Sequence, residues 1–297
     1  QLGGKAVFNS FQITFELKQS HRQSGQDSEK FRTLLNNIAE GCVTEDDYNL
    51  LMTRRKTNLS ATEIESFKDA IRLYYRTEDV NKANNDFLEA LGQPIARIAS
   101  FNQPDIRSWT SKKKDTDLAM GLIHILNLTV GCRVMLRVNI SVTHGLANSS
   151  MGTVRAIIYA PDSGPPAIPE CVFVEFDEFQ GPFYPPNTRW FPITPITRSW
   201  SDHGRTFSRK QLPLMVGYAT TIHKSQGMTL DKAIIDIGDS EKCLGLTYVA
   251  YSRVKKLEGL MLEKTFTKER LDKIASSRSF QLSKTFMNNL TAANNNP

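Results

Sequence analysis

The sequence predicts an α/β protein carrying a small all-β insert, on three observations. Over residues 1–127 apolar side chains recur every three or four positions, the period of helices that bury one face. From Leu128 to about residue 211 the period falls to two, as in half-buried strands. A run rich in polar residues, Thr220 to Asp231, then separates two apolar segments, Leu212 to Ala219 and Ala233 to Ile237, as a loop between buried strands does.

The elements follow in order. Ser28 is placed to cap a helix with apolar positions Phe31, Leu34, Leu35 and Ile38, and Gly41 to end it. Thr44 and Asp47, and then Ser60 and Glu63, have the spacing of capping boxes, the first with Asp where Glu or Gln is usual. Ile71 to Tyr75 is short and apolar enough for a buried strand. Asp79 is placed to cap a helix with Val80, Ala83, Phe87, Leu88 and Leu91 along one side, closed by Gly92-Gln93-Pro94. Helices alternating with such strands predict α/β layering. In the insert, Val134, Leu136 and Val138 alternate with polar neighbours, as do Val154, Ala156 and Ile158, and Val172, Val174 and Phe176. Turn-rich stretches separate them, so a small antiparallel sheet, closed as a barrel, is expected over 128–211. The α/β pattern resumes at Leu212 and runs to 285, and the Asn-rich segment 286–297 is expected to be disordered.

The 297 residues, 40% hydrophobic and 23% charged, suffice for one large or two medium domains with a real core. A net charge of +6 favours a polyanionic partner. Cys42, Cys132, Cys171 and Cys243 are far apart, with no C-x-x-C and no nearby His pair, which argues against a zinc site or a disulfide framework and for reduced thiols. No apolar run approaches the roughly 18 residues of a membrane span, and these residues show no signal-peptide pattern, although a segment ahead of Gln1 would carry any targeting sequence.

The chemistry is concentrated in two stretches. Thr220-Thr221-Ile222-His223-Lys224-Ser225-Gln226-Gly227-Met228-Thr229-Leu230-Asp231 offers a cation, hydroxyls, a His and a Gln just before a Gly. Lys224 and the hydroxyls of Thr221 and Ser225 suit sequence-independent contacts to phosphates of a single strand. Gln226 and Gly227 suit a nucleotide, because Gly lets backbone approach closely and Gln both donates and accepts. His223 either contacts the strand or holds the loop through a backbone bond. Tyr248 to Val254 then reads as a short helix carrying Arg253, a cation placed where phosphoryl transfer would use one. Lys112-Lys113-Lys114 beside Trp109 is either a strand-binding patch or a solvated basic loop.

Both stretches resemble motifs of superfamily 1 DNA helicases of the Pif type, the 5′-to-3′ branch that includes RecD-like enzymes, in their fungal or Helitron-like form. The likeness covers nearly the whole chain. Phe15-Glu16-Leu17 through His21-Arg22-Gln23 resembles that family's fourth motif, and Leu50 to Arg54 and Leu73-Tyr74-Tyr75 its following blocks. Gly131 to Leu136 and Gly145 to Gly152 resemble the inserted β-domain, with Ser149 where the family has Gly. If that position needs φ > 0, Ser costs about 1 kcal/mol or more, a strain that Asn148 beside it could take instead. Tyr251 replaces an aliphatic residue of the sixth motif, a packing change.

The resemblance implies a second RecA-like helicase domain, a P-loop NTPase fold without its P-loop half, interrupted by an SH3-like β-barrel. It implies that Arg22 and Arg253 act as catalytic arginine fingers on ATP, that Gln226 and Gly227 touch the nucleotide, and that Thr221, His223, Lys224 and Ser225 hold DNA. The competing reading of either arginine is a surface ion pair. No G-x-x-x-x-G-K-[ST] loop and no acidic pair after an apolar strand occurs, and the chain begins at Gln1. The expectation is therefore the C-terminal half of a helicase, with no metal site of its own and silent alone as an ATPase. Mg²⁺ and most of the ATP contacts would belong to the N-terminal RecA-like domain. Expected partners are that domain, single-stranded DNA and fork DNA, with no membrane. The expected compartment is the nucleus or the mitochondrion, in repair, recombination or telomere maintenance. The alternatives are a non-catalytic DNA-binding module, such as a transposon remnant, and a subunit of a RecD-like complex.

Overall fold

A computed structural model describes residues 21–23, 28–105, 119–182, 188–202, 204–239 and 243–295. Phe15 to Leu17, Trp109 and Lys112 to Lys114 lie outside the described residues. In chain order the elements are α1 (Glu29–Glu40), α2 (Glu45–Met52), α3 (Ala61–Glu65), β1 (Ile71–Tyr74), α4 (Thr77–Ala90), β2 (Ala96–Ala99), β3 (Phe101–Gln103), β4 (Ile125–Leu128), β5 (Arg133–Leu136), β6 (Met151–Ile158) and β7 (Cys171–Phe176). There follow β8 (Trp190–Ile193), β9 (Ile196–Asp202), β10 (Arg205–Gln211), β11 (Leu214–Val216), β12 (Ala219–Thr221), β13 (Ala233–Asp236), α5 (Leu246–Tyr251), β14 (Leu260–Leu262), α6 (Lys268–Ser276) and α7 (Arg278–Asn295).

The chain forms two compact units, Gln1–Tyr75 with Thr221–Pro297, and Arg76–Thr220. The breaks fall at 75/76 and 220/221, not at 127/128 and 211/212 as the periodicity predicts. The reason is burial: Leu88 of α4 and Ile98 of β2 enter the same core as Val134, Val154, Val174 and Ile193, and so do Leu212, Leu214 and Val216.

In the first unit β1, β13 and β14 run parallel, with Leu73 opposite Ile235 and Ile235 opposite Leu262. The β13 residues are all buried, as the central strand of a covered parallel sheet should be. α1 buries the predicted stripe Phe31, Leu34, Leu35 and Ile38, and Gly41 ends it at φ +67°, with the Cys42 N–H donating to Asn37 O at 2.9 Å. Ser28 occupies the position before the helix but makes no capping bond with its side chain, because its backbone is not extended (φ −94°, ψ 1°). Both predicted capping boxes form. The segment expected to be disordered lies largely in α7. That helix is anchored by Phe280, buried against Gly41 and Ala275, and by the Lys284–Glu40 ion pair at 3.3 Å.

In the second unit α4 begins earlier than predicted, at Thr77 with Arg76 in the cap position, which puts Asp79 in the first turn, where an acidic side chain complements the helix dipole. Asn84 lies in its apolar stripe between Val80 and Leu88, and its amide accepts from Ala219 N at 2.8 Å and donates to Ala219 O at 3.1 Å. A buried amide satisfied on both sides costs little and specifies which backbone it meets. The five-stranded sheet runs β11-β5-β6-β7-β8, with antiparallel pairings throughout, and a three-stranded sheet runs β3-β10-β9. The turn between β5 and β6 keeps its shape with Ser149 itself at φ +76°; Asn148 does not take the strain. Gly145 in the same turn (φ +83°) cannot be replaced, since a Cβ there would stand 2.3 Å from Glu178 O.

Candidate functional site

All the described candidate residues lie in the first unit. The loop after β12 is entered through Ile222, fully buried, whose N–H donates to Tyr74 O at 2.9 Å. The backbone then coils on itself. Thr221 O accepts from the N–H of Lys224 at 3.0 Å and of Ser225 at 3.1 Å, and Ser225 O from Met228 N–H at 2.9 Å. The loop spends these N–H groups internally and projects side chains: His223, Lys224 and Gln226 are exposed, as is Gly227. Gly227 has φ +95° with open space where a Cβ would be, so glycine serves the backbone conformation there. Thr221 is partly exposed, and its hydroxyl accepts from Lys224 N–H at 3.3 Å. Ser225 departs from expectation. It is 0% exposed, and its hydroxyl donates to Ile222 O at 2.8 Å, so it braces the loop and presents nothing to a phosphate chain.

The two arginines expected to act together are brought together. α5 is a single short helix that starts after Gly245, and Ser252 and Arg253 follow it. The Arg253 guanidinium folds back over that turn, its Nε donating to Val249 O at 2.7 Å and its Nη2 to Ser252 Oγ at 2.7 Å. Its Nη1 reaches Met228 O at 3.5 Å. Arg22 arrives from the other side, with Nε on Thr229 Oγ1 at 2.9 Å and Nη1 on Ser252 O at 3.1 Å. Both cations thus bond to Ser252, and both bond to the loop that carries Lys224. Burial, and then the Arg22 charge beside it, push the Arg253 guanidinium below its ordinary range. Neither guanidinium has a carboxylate partner among the described residues, which leaves a partly buried, anion-seeking pair there.

Sequence reasoning missed the groups that hold this pair. Gln23, buried, donates from Nε2 to Ser252 O at 3.1 Å and to Val254 O at 2.8 Å, the carbonyls on either side of Arg253. Arg32 in turn donates to Gln23 O at 2.9 Å. Leu230 N–H donates to Arg253 O at 2.9 Å and Lys255 N–H to Leu230 O at 3.2 Å, a short parallel bridge that ties the loop's exit to the arginine. The available signal was adjacency: Gln23 follows Arg22 directly, and Thr229 and Ser252 lie inside the quoted stretches. Among the described residues no three His, Cys, Asp or Glu side chains gather as a metal site, and two guanidiniums repel a divalent cation. Mg²⁺ does not fit this surface. Phosphate oxygens do.

No family model matches the chain. It is 30% identical over 256 residues to the ATP-dependent DNA helicase PIF1 of Rattus norvegicus, covering 84% of this chain and 34% of that protein. It is 30% identical over 250 residues to the same-named protein of Danio rerio, with the same two shares of 84% and 34%. The chain therefore spans about a third of the length of the curated relatives it matches. Among solved structures, a Bacteroides Pif1 helicase in complex with ADP-AlF3 and ssDNA superposes with a TM-score of 0.58 at 26% identity, over 90% of this chain and 57% of that one. The Pif1 helicase of Candida albicans gives a TM-score of 0.67 over 95% of this chain and 63% of that one, and at 24% identity it speaks for the fold. The mixed α/β fold is that of Pif1 helicase structures, and over 84% of its length the chain is a homologue of Pif1-type ATP-dependent DNA helicases.

Proposed function

We propose that this chain is the C-terminal motor half of an ATP-dependent 5′-to-3′ DNA helicase: a second RecA-like domain in which the unit Arg76–Thr220 carries an SH3-like insert. The observation that carries the reading is the convergence of Arg22 and Arg253 on Ser252, without a carboxylate between them among the described residues and bonded to the loop that presents Lys224. Phosphoryl transfer spreads negative charge over the γ-phosphate oxygens, and a guanidinium placed there is worth about 10³ to 10⁵ in rate. Arg22 and Arg253 supply two, held in place by Gln23 before the nucleotide arrives. ATP and Mg²⁺ are bound mainly by the N-terminal RecA-like domain, in line with the missing phosphate-binding loop. Single-stranded DNA is gripped by Lys224, His223 and Thr221, and Gln226 and Gly227 face the nucleotide. Because Arg22 holds Thr229 and Arg253 holds Met228, a phosphate that draws either guanidinium away also loosens the loop, which couples nucleotide state to DNA grip.

The test is DNA-stimulated ATP turnover by the intact helicase that includes this chain, assayed beside the chain alone. Arg253→Ala is expected to lower turnover by at least about 10²-fold, a loss larger than any change in single-strand affinity. Turnover within a few-fold of the parent would remove Arg253 from the reaction. Silence from the intact protein, with DNA binding retained, would favour the non-catalytic module.

A further inference from the structure

Beside the DNA loop stands an aromatic residue that the proposed function leaves without a role. Tyr75 follows β1 directly, and the bond from Ile222 N–H to Tyr74 O sets it level with His223. The two rings lie 6.5 Å apart, centroid to centroid, tilted by 44°. Below Tyr75 lies Gly238, at φ +69°, where even an added Cβ would stand 3.8 Å from Tyr75 Cβ. That glycine is fixed in turn: its N–H donates to Asp236 Oδ1 at 2.9 Å, and its carbonyl accepts from Arg270 Nε at 2.9 Å. The ring thus has a rigid bed and a partly exposed outer surface.

The two adjacent tyrosines are used differently. Tyr74 donates its hydroxyl to Glu263 Oε2 at 3.3 Å, and burial, followed by the Glu263 charge, pushes that hydroxyl up to about 12. The Tyr75 hydroxyl makes no hydrogen bond among the described residues. A tyrosine serving only as packing would be expected to bury its ring and pair its hydroxyl. Tyr75 and His223 instead set an aromatic ring beside an imidazole just past the C-terminal ends of β1 and β12, with the exposed Lys224 next in the chain. Aromatic faces interleaved with cations are how proteins hold a single strand without reading its sequence.

We propose that Tyr75 and His223 form a stacking platform for one base of single-stranded DNA, next to the phosphate that Lys224 meets. This deepens the proposed function and rests on its reading of the loop as a DNA grip. Stacking and charge are separable, because phosphate contacts release counterions and stacking does not.

The experiment measures binding of this chain to a labelled dT oligonucleotide and to an abasic oligonucleotide of equal length, each across a range of salt. Tyr75→Leu keeps an apolar side chain on Gly238 and removes the π-face. It is expected to weaken dT binding about tenfold, with the salt slope and the abasic affinity unchanged, and Tyr75→Phe to behave as the parent. Lys224→Ala is expected to weaken both ligands and to lower the slope by about one phosphate contact. Equal losses on dT and abasic DNA, or no loss on dT, would overturn the platform while leaving the grip intact. A parent chain that binds neither oligonucleotide would overturn the grip and the platform with it.

Discussion

Ser149 sits at φ +76° in the turn between β5 and β6, a conformation in which its Cβ crowds the following carbonyl. The turn holds it there: Ser149 N–H donates to Leu136 O at 2.8 Å and Asn148 N–H to Asn139 Oδ1 at 2.7 Å. Ser149→Gly is expected to raise stability by about 1 kcal/mol, read as a higher urea midpoint at unchanged slope. A midpoint at or below the parent's would mean that the turn is not strained. At this scale much of the candidate site was legible in the sequence, because a polar run between two apolar segments has few places to go. Spacing could not tell a hydroxyl that faces out from one that faces in, so Ser225 was misread. Asn84 is the converse: it occupies the i+4 step between Val80 and Leu88, and a polar residue at that step marks a buried, partnered amide.

Among the elements, α2 shows how a short helix is started. Thr44 accepts from Asp47 N–H at 3.1 Å, while Asp47 Oδ2 accepts from Thr44 N–H at 3.0 Å and from Asn37 Nδ2 at 2.7 Å. Burial works to raise the Asp47 carboxyl, but the hydrogen bonds from Thr44 and Asn37 outweigh it and hold the group below its usual range. A folded-state value below the unfolded one, about 3.9, gives a contribution that is complete above that pH and is lost as pH falls through the folded value. Asp47→Ala is therefore expected to cost about 1 kcal/mol at pH 7, and the gap to the parent to shrink below about pH 4. A gap independent of pH would show that the carboxylate charge is not what the box uses. Capping pairs were readable because they are local. The α7 helix was not, since its Asn-rich composition argues for disorder and its anchors, Gly41 and Glu40, are far away in sequence.

For the molecule as a whole, composition and period identified an α/β frame with a β insert but placed its first join at 127/128 instead of 75/76 and its second at 211/212 instead of 220/221. Period reports which face of an element is buried and not which core buries it, so α4 and β11 were assigned to the wrong neighbours. The structure gives a simple reason to regard Arg76–Thr220 as inserted: the chain leaves the first unit beside Tyr74 and returns at Ile222, and those two residues share a hydrogen bond of 2.9 Å. Residues 76–220 expressed alone are expected to unfold cooperatively in urea around their own core. The first unit, closed by a short Gly-Ser linker from Tyr75 to Thr221, is expected to keep its helical circular dichroism. A non-cooperative transition from the excised segment would argue that it depends on the rest of the chain. The paired arginines carry a last consequence. Two like charges drawn onto one serine make the ligand-free fold less stable than its packing alone would allow, and any anion that settles between them returns that free energy on binding. In the proposed motor, part of the affinity for phosphate is built in when the chain folds, as tension between two side chains that no carboxylate among the described residues neutralises.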